Sequence, residues 1–408
     1  MQEERDDARA KADLLLRAYR AMGYDAVMPG EADFFGGISL LRGHEKKGVP
    51  FVCLNLVSAQ TGKPVFSPYR RFSRGGVTVL VTGLASGSVF PKGALAGLGL
   101  KVLPPGEALP SLFARQEGEA DVVIVLSHLG FSEDRELARR AGRPLLILGA
   151  HSRMPVWMAE AGSDSILSVP QDRGRVLQEI SVGRVAGTPG KGPAGFADGS
   201  LAAQYEAKRS ELSARGKEMD RRERDLAERT LEAYGRLLAV PEGKRLITPR
   251  AHPLDETVPD DPEMVRMHGE YRKTLGQLAR TRRPGPAGPT EYRGHAACDR
   301  CHPKNHAGWS KEPHAVAHGT LAGQGDGANP DCLPCHVTGY GKGGYRTGGS
   351  KGLEGVGCEA CHGPGKGHPG KKMTIPGEPV CRSCHEGLGP FPFAEKRRLL
   401  GCVRAKDG

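Results

Sequence analysis

Eight of the ten cysteines in this 408-residue chain fall into one repeated pattern, Cys-x-x-Cys-His. The copies are Cys298–Cys301–His302, Cys332–Cys335–His336, Cys358–Cys361–His362 and Cys381–Cys384–His385. Random placement at this composition would yield about 0.01 such motifs. The spacing has a chemical reason. Two thiols three positions apart can add across the two vinyl groups of a haem, and the imidazole that follows is then held under the iron as its proximal ligand. The pattern therefore implies four covalently bound haem c groups. Zinc in a Cys₄ site or an iron–sulfur cluster would also use Cys-x-x-Cys units, but neither needs a His directly after every pair. Of the two remaining cysteines, Cys53 lies in an apolar run and reads as an inert buried thiol. No partner can be argued for Cys402 in the charged tail.

Each iron has a sixth position, and five further histidines accompany the motifs: His295, His306, His314, His318 and His368. Paired histidines make a low-spin iron suited to electron transfer, whereas an open position admits a small molecule. Trp309 and nearby tyrosines can pack on porphyrin faces. The region 291–408 needs such mass. Leu, Val, Ile and Phe supply only 14 of its 118 residues, about 12% against the roughly 20% of a chain that builds its own core. Four apolar discs would make good the deficit.

Other parts of the chain must carry this module. Residues 1 to about 185 alternate helical and strand-like segments. An amphipathic helix is expected at 6–22, and buried strands at 51–56, 77–84, 121–127 and 145–150. A helix over 132–141 would start from Ser132 as N-cap, with Glu133 and Asp134 in its first turn. Such alternation predicts an α/β layer fold with a largely parallel sheet. Residues 186–199 read as a Gly/Pro linker. One long solvated helix is expected from Ser200 to about Leu238, with Tyr205, Leu212, Met219 and Leu226 every seven residues. A second helix covers 262–281, and RPGPAGPT (283–290) is another linker. The expected organisation is thus an α/β domain (1–185), a helical linker (186–290) and a mostly α/irregular multihaem domain (291–408).

Two resemblances sharpen these expectations. The segments CDRCHPKNHAGWSKEPHAVA (298–317), CLPCHVTGYGKGGY (332–345) and GVGCEACHGPG (355–365) resemble the tetrahaem cytochrome c family of the hydroxylamine-oxidation pathway. The resemblance implies distal haem ligands at His314 and His368, and an open position on the haem of His336. It also implies that the fourth haem takes its distal ligand from a longer C-terminal extension. No His follows His385, so His318, then His295 and His306, are the expected substitutes.

The segments MGYDAVMPGEADFFGG (22–37), TGKPVFSPYRRFSRGGVTVLVTGL (61–84), ADVVIVLSHLG (120–130) and ILGAHSRMP (147–155) resemble the metallophosphoesterase domain of secreted five-prime nucleotidases. That family activates water between two metals. His128 and His151 match its third and fourth metal-binding turns. Its Gly-Asn-His-Glu turn reads Gly30-Glu31-Ala32-Asp33 here, so a metal ligand has become Glu and the catalytic His has become Ala. Arg153 replaces a last His or Gln, and the Asp-x-His strand would lie upstream of residue 1. A degenerate phosphoesterase fold is expected, with one metal on His128, His151 and Glu31 or Asp33 as the alternative.

The expected function is electron transfer by a periplasmic or cell-surface cytochrome, with redox proteins as partners. The alternatives are a haem enzyme acting on a small nitrogen species, such as a nitrogen oxide, and residual phosphoesterase activity. Haem attachment outside the cytoplasm requires export, so the natural start is expected upstream of Met1. No run approaches 18 apolar residues, so no transmembrane helix is expected. The charge of +11 is offset by haem propionates. The Lys and Arg residues are scattered, and no nucleic-acid motif is present.

Overall fold

The apolar runs become strands where both faces of the sheet are covered. In chain order the strands are Leu56–Ser58 (β1), Tyr69–Arg74 (β2), Val77–Ala85 (β3), Leu100–Val102 (β4), Val122–His128 (β5), Leu146–Gly149 (β6), Val156–Glu160 (β7), Ser165–Val169 (β8), Val176–Val185 (β9), Gly195–Asp198 (β10) and Lys244–Pro253 (β11). The computed structural model describes residues 2–115, 120–151, 155–170, 174–186, 194–237, 242–281, 290–347, 350–385 and 392–395. The chain divides into two compact units, Leu16–Asp260 and Met1–Leu15 with Asp261–Gly408.

The first unit is built on a six-stranded sheet of order β2-β3-β5-β6-β8-β7. Neighbours among β3, β5, β6 and β8 pair in parallel, and β2 and β7 close the edges antiparallel. Helices Ile38–Lys46 (here called α2, after α1 at Gln2–Ala21), Ala94–Gly97 (α3), Pro105–Arg115 (α4) and Phe131–Arg140 (α5) accompany it. Every residue of β8 is buried, which is the signature of a strand sandwiched between layers. Helix α5 departs from expectation at its start. Its N-cap is Gly130, without a side-chain cap, and Ser132 lies inside the helix. Asp134 of its first turn is buried and accepts a short hydrogen bond from the Ser127 hydroxyl.

The strand expected at 51–56 is also corrected. Phe51, Val52 and Cys53 are buried, but pairing over 51–52 is limited to isolated bridges, to Val27 and Ser67, and β1 begins at Leu56. The segment's polar groups go to several places. Cys53 N–H bonds Ser67 O and Leu54 N–H bonds Gly83 O, while the Asn55 amide reaches Ala85 and Leu103 carbonyls. Burial pushes the Cys53 thiol up to about 12, as an inert thiol requires.

The linker expected over 186–290 is not a connector. Residues 195–198 and 244–253 form a three-stranded sheet with β9, in the order β10-β11-β9. Phe196 and Ile247 join Val122, Leu146 and Ile166 in one core, so burial of these two side chains binds the segment to the first unit. The single long helix expected at 200–238 is two helices, Ser200–Arg215 (α6) and Arg221–Leu237 (α7). The break follows Gly216. Asp220 and Glu223 then form a reciprocal cap, Glu223 N–H to Asp220 Oδ1 at 2.9 Å and Asp220 N–H to Glu223 Oε2 at 3.3 Å. Residues 187–193, 238–241 and 282–289, the centres of the expected loops and linkers, lie outside the described residues.

In the second unit, Pro262–Thr281 (α8) forms as expected. Asp261 Oδ1 accepts the Glu263 and Met264 N–H groups at its start, and Met267, Tyr271 and Leu275 form its buried stripe. The rest is short helices: His295–Asp299 (α9), Pro303–Trp309 (α10), Ala317–Gly323 (α11), Leu333–His336 (α12), Cys358–His362 (α13) and Glu378–His385 (α14). Apart from that stripe, its apolar core among the described residues is centred on the small cluster of Leu321, Leu333, Val337, Tyr345 and Leu353. Among the described residues no helix is long and apolar enough to cross a membrane.

Candidate functional site

All four Cys-x-x-Cys-His motifs lie on short helical turns. Cys358–His362 is α13 itself, Cys381–His385 ends α14, Cys332 caps α12, and Cys298 lies in α9 with His302 N–H bonded to Cys298 O at 2.9 Å. Positions i, i+3 and i+4 share one helical face. Each turn therefore presents both thiols and the imidazole in one direction, as attachment to a single flat cofactor demands. The motifs also meet in pairs. The Cys298 thiol contacts that of Cys358, and Cys335 that of Cys384. Burial, the Cys384 contact and the Cys332 charge push Cys335 up to about 11.

The histidines sort into three groups. The rings of His302 and His368 have centroids 6.0 Å apart with planes inclined at 26°, and those of His385 and His314 are the same distance apart with planes inclined at 63°. Two imidazoles on opposite sides of one metal, with bonds of about 2 Å each, have centroids about 6 Å apart. Burial, with the His385 charge, lowers the pKa of His314 and so favours the neutral ligand form. Its backbone carbonyl takes the Val356 N–H at 2.8 Å. Gly355 is needed beside it, because a Cβ there would stand 2.9 Å from that carbonyl and the residue has φ of +88°.

His336 and His362 form the second group. Nδ1 of His336 donates to Ala317 O at 3.0 Å, and Nδ1 of His362 to Thr374 O at 2.9 Å. A carbonyl on Nδ1 fixes the tautomer and leaves Nε2 as the coordinating nitrogen. Among the described residues no other histidine ring stacks on either one.

The third group corrects an expectation. His318 was the first choice to replace a missing ligand on the fourth haem, but its Nε2 lies 3.1 Å from both Gly327 O and the Tyr345 hydroxyl. His295 and His306, the other choices, bond each other at 2.9 Å over Trp309. His385 meets His314 instead. His314, between the first and second motifs in sequence, is thus brought to the fourth motif.

Tyr271 was not singled out from the sequence. Its hydroxyl is buried without a partner in the described residues. Burial raises its pKa, and the charges of Asp331, Asp7, Cys332 and Asp326 add to that. The salt bridges Arg272–Asp326 (2.9 Å) and Lys11–Asp331 (2.7 Å) brace the same segment before Cys332. An orphaned buried donor beside a haem-attachment thiol, two imidazole pairs at bis-ligand spacing and a thin apolar core all fit haem.

Glu359, inside the third motif, is buried. Its carboxylate accepts the N–H groups of Arg293, Gly294 and Gly365. It fixes the turn ahead of the first motif to the third.

The first unit holds a separate cluster. Glu31, His128 and His151 bring ligand atoms within 4.8 Å of one another. His128 ends β5 and His151 follows β6, at the carboxyl ends of parallel strands where α/β sheets bind ligands. Glu31 makes a short hydrogen bond to His128 Nε2, and the two imidazole centroids are 5.1 Å apart. Burial works to raise Glu31, but the His128 hydrogen bond, its own backbone, and the His128 and His151 charges hold it below the usual carboxylate range. Asp33, the other expected ligand, accepts the Gly30 N–H at 2.8 Å and stays out of the cluster. Burial raises its pKa. Arg153 lies outside the described residues, as does Cys402.

Comparison with known proteins agrees with both resemblances. The family described as cytochrome c554 and c-prime matches residues 297–363. Cytochrome c-554 of Nitrosomonas europaea is 37% identical over 101 residues, covering 21% of this chain and 43% of that protein. Protein UshA of Salmonella pullorum is 28% identical over 170 residues, covering 38% of this chain and 31% of UshA. The chain thus spans about a third of that relative's length. The crystal structure of a 5'-nucleotidase precursor from Thermus thermophilus aligns with TM-score 0.41 and 16% identity, over 76% of this chain and 54% of that one. Residues 297–363 are thus similar to a c-type cytochrome family, a likeness that supports covalently bound haem c, and the N-terminal part is similar to the 5'-nucleotidase group.

Proposed function

We propose that the chain is a tetrahaem c-type cytochrome that carries electrons between redox proteins outside the cytoplasm, with its phosphoesterase-like unit as scaffold or docking surface. The carrying observation is the set of four helical turns that each present Cys, Cys and His on one face. Cys298 and Cys301, Cys332 and Cys335, Cys358 and Cys361, and Cys381 and Cys384 would hold the haems by thioethers, over His302, His336, His362 and His385. When bound, haem supplies a one-electron couple tuned by axial ligand and burial. The chain's residues do the rest. His368 and His314 are the second imidazoles opposite His302 and His385. The Ala317 and Thr374 carbonyls orient His336 and His362. The meeting thiols of motifs one and three, and of two and four, keep the attachment sites adjacent, which suits passage of an electron between them. The open side of His336 keeps a second reading alive, an enzyme acting on a small nitrogen species.

The test is intact mass and reduced spectrum of the full chain, expressed behind a bacterial export signal in a host with cytochrome c maturation. Four covalent haems support the proposal. Fewer, or zinc or iron–sulfur in their place, overturn it.

The Glu31–His128–His151 cluster favours one further reading, a single divalent metal on a phosphoesterase remnant. Two imidazoles and a carboxylate are an acceptable ligand set, but Ala32 stands where the resemblance places the catalytic His. Manganese-dependent phosphate-ester hydrolysis that His128→Ala with His151→Ala abolishes would show that the remnant still works.

A further inference from the structure

We infer that the haem on His362, like that on His336, receives one histidine and no methionine from residues 1–408, so these 408 residues offer two ligand-exchangeable irons. This rests on the tetrahaem reading and deepens it. The resemblance implied an open position at His336 alone.

The argument is an accounting of all 14 histidines. Four belong to the motifs. His368 stands opposite His302 and His314 opposite His385. The histidine nearest to His362 in sequence is thus given to another motif. Nδ1 of His368 bonds Lys371 O at 3.1 Å, which leaves Nε2 for the metal side. His295 and His306 are bonded together, and His318 is bonded through Nε2. His268 packs on Tyr271. His44 is buried, His128 and His151 cluster with Glu31, and Nε2 of His252 bonds Glu179 at 2.8 Å. Residues 386–408 contain neither His nor Met. Met373 adjoins Thr374, whose carbonyl holds the Nδ1 end of His362, not the Nε2 end. The His362 haem therefore has a face for a small uncharged donor of nitrogen or carbon.

The experiment is carbon monoxide titration of the reduced, haem-loaded full chain, after its mass has shown four haems. Two equivalents per chain are expected, with two high-spin signals by electron paramagnetic resonance in the oxidised protein. Any other number overturns the inference, whereas fewer than four haems would instead overturn the tetrahaem reading. Single variants place the two sites. His368→Ala and His314→Ala should each raise uptake from two equivalents to three, because each frees one paired iron. His295→Ala and His318→Ala should leave it at two. A rise with either of these last variants would show that a histidine had moved onto an iron, and would sink the assignment.

Discussion

Glu359→Gln should be among the most damaging conservative changes in the cytochrome unit. The buried carboxylate accepts three backbone N–H groups at 2.7–3.0 Å, from Arg293, Gly294 and Gly365. Hydrogen bonds to a charged group contribute about 1.5–3 kcal/mol each, against about 0.5–1.5 for neutral pairs, and a stranded buried donor costs about 1–3. Glutamine replaces one oxygen with an NH₂ group, which turns a donor toward Gly365 or toward Gly294 and weakens the other bonds. The expected cost is about 3 kcal/mol for Gln and about 4–5 kcal/mol for Ala. At about 2–4 °C per kcal/mol for a unit of this size, Gln should lower the melting temperature by about 6–12 °C. Thermal unfolding of the haem-loaded protein, followed by haem absorption, measures this. A second readout is the low-spin signal of the iron proposed between His302 and His368, because Glu359 fixes the turn ahead of Cys298. A Gln variant within 0.5 kcal/mol of the parent, or one worse than Ala, would refute the reasoning.

Three further outcomes follow from other sites. Asp134, buried against Ser127, has its pKa raised to about 6, chiefly by burial. A carboxyl raised when folded keeps a proton that the unfolded chain releases, so its contribution falls as pH rises from about 3.8 to about 6, by up to roughly 3 kcal/mol. Asp134→Asn should flatten that decline in denaturant midpoints between pH 4 and 7, and parallel curves would contradict it. Tyr271→Phe should cost about 1 kcal/mol and shift one haem's midpoint potential in the loaded protein, where the proposed haem of the second motif would supply the acceptor that the Tyr271 hydroxyl lacks; no change in either would cut the link between Tyr271 and the second motif. His128→Ala should weaken binding of zinc or manganese to the α/β unit at least tenfold by calorimetry, and unchanged affinity would place the metal elsewhere.

The motifs were legible because covalent chemistry fixes their spacing. Helix α8 was legible from its periodicity, and the central strands from their length and β-branched content. What stayed hidden was set by distance along the chain. Nothing local says that His314 turns to His385 and not to a nearer motif, nor that Glu359 collects N–H groups from 293, 294 and 365. Phe196 looked like part of a linker because its neighbours are Gly and Pro; only its packing with Ile247 makes it core. The break between α6 and α7 was readable, in Gly216 and in Asp220 with Glu223 three residues on, but the heptad spacing of Tyr205, Leu212, Met219 and Leu226 concealed it.

The two imidazole pairs have a topological consequence. His302 with His368 and His314 with His385 are interleaved, since each pair encloses one member of the other. With an iron joining each pair, as proposed, the chain would carry two crossed links that each close a loop of about 70 residues, and a covalent cross-link over that length removes on the order of 4 kcal/mol of unfolded-state freedom. The crossing makes the links mutually dependent, because neither loop can swell while the other stays shut. A segment with few aliphatic side chains can then hold one shape as a laced structure, and loss of either iron–histidine bond should loosen both halves together.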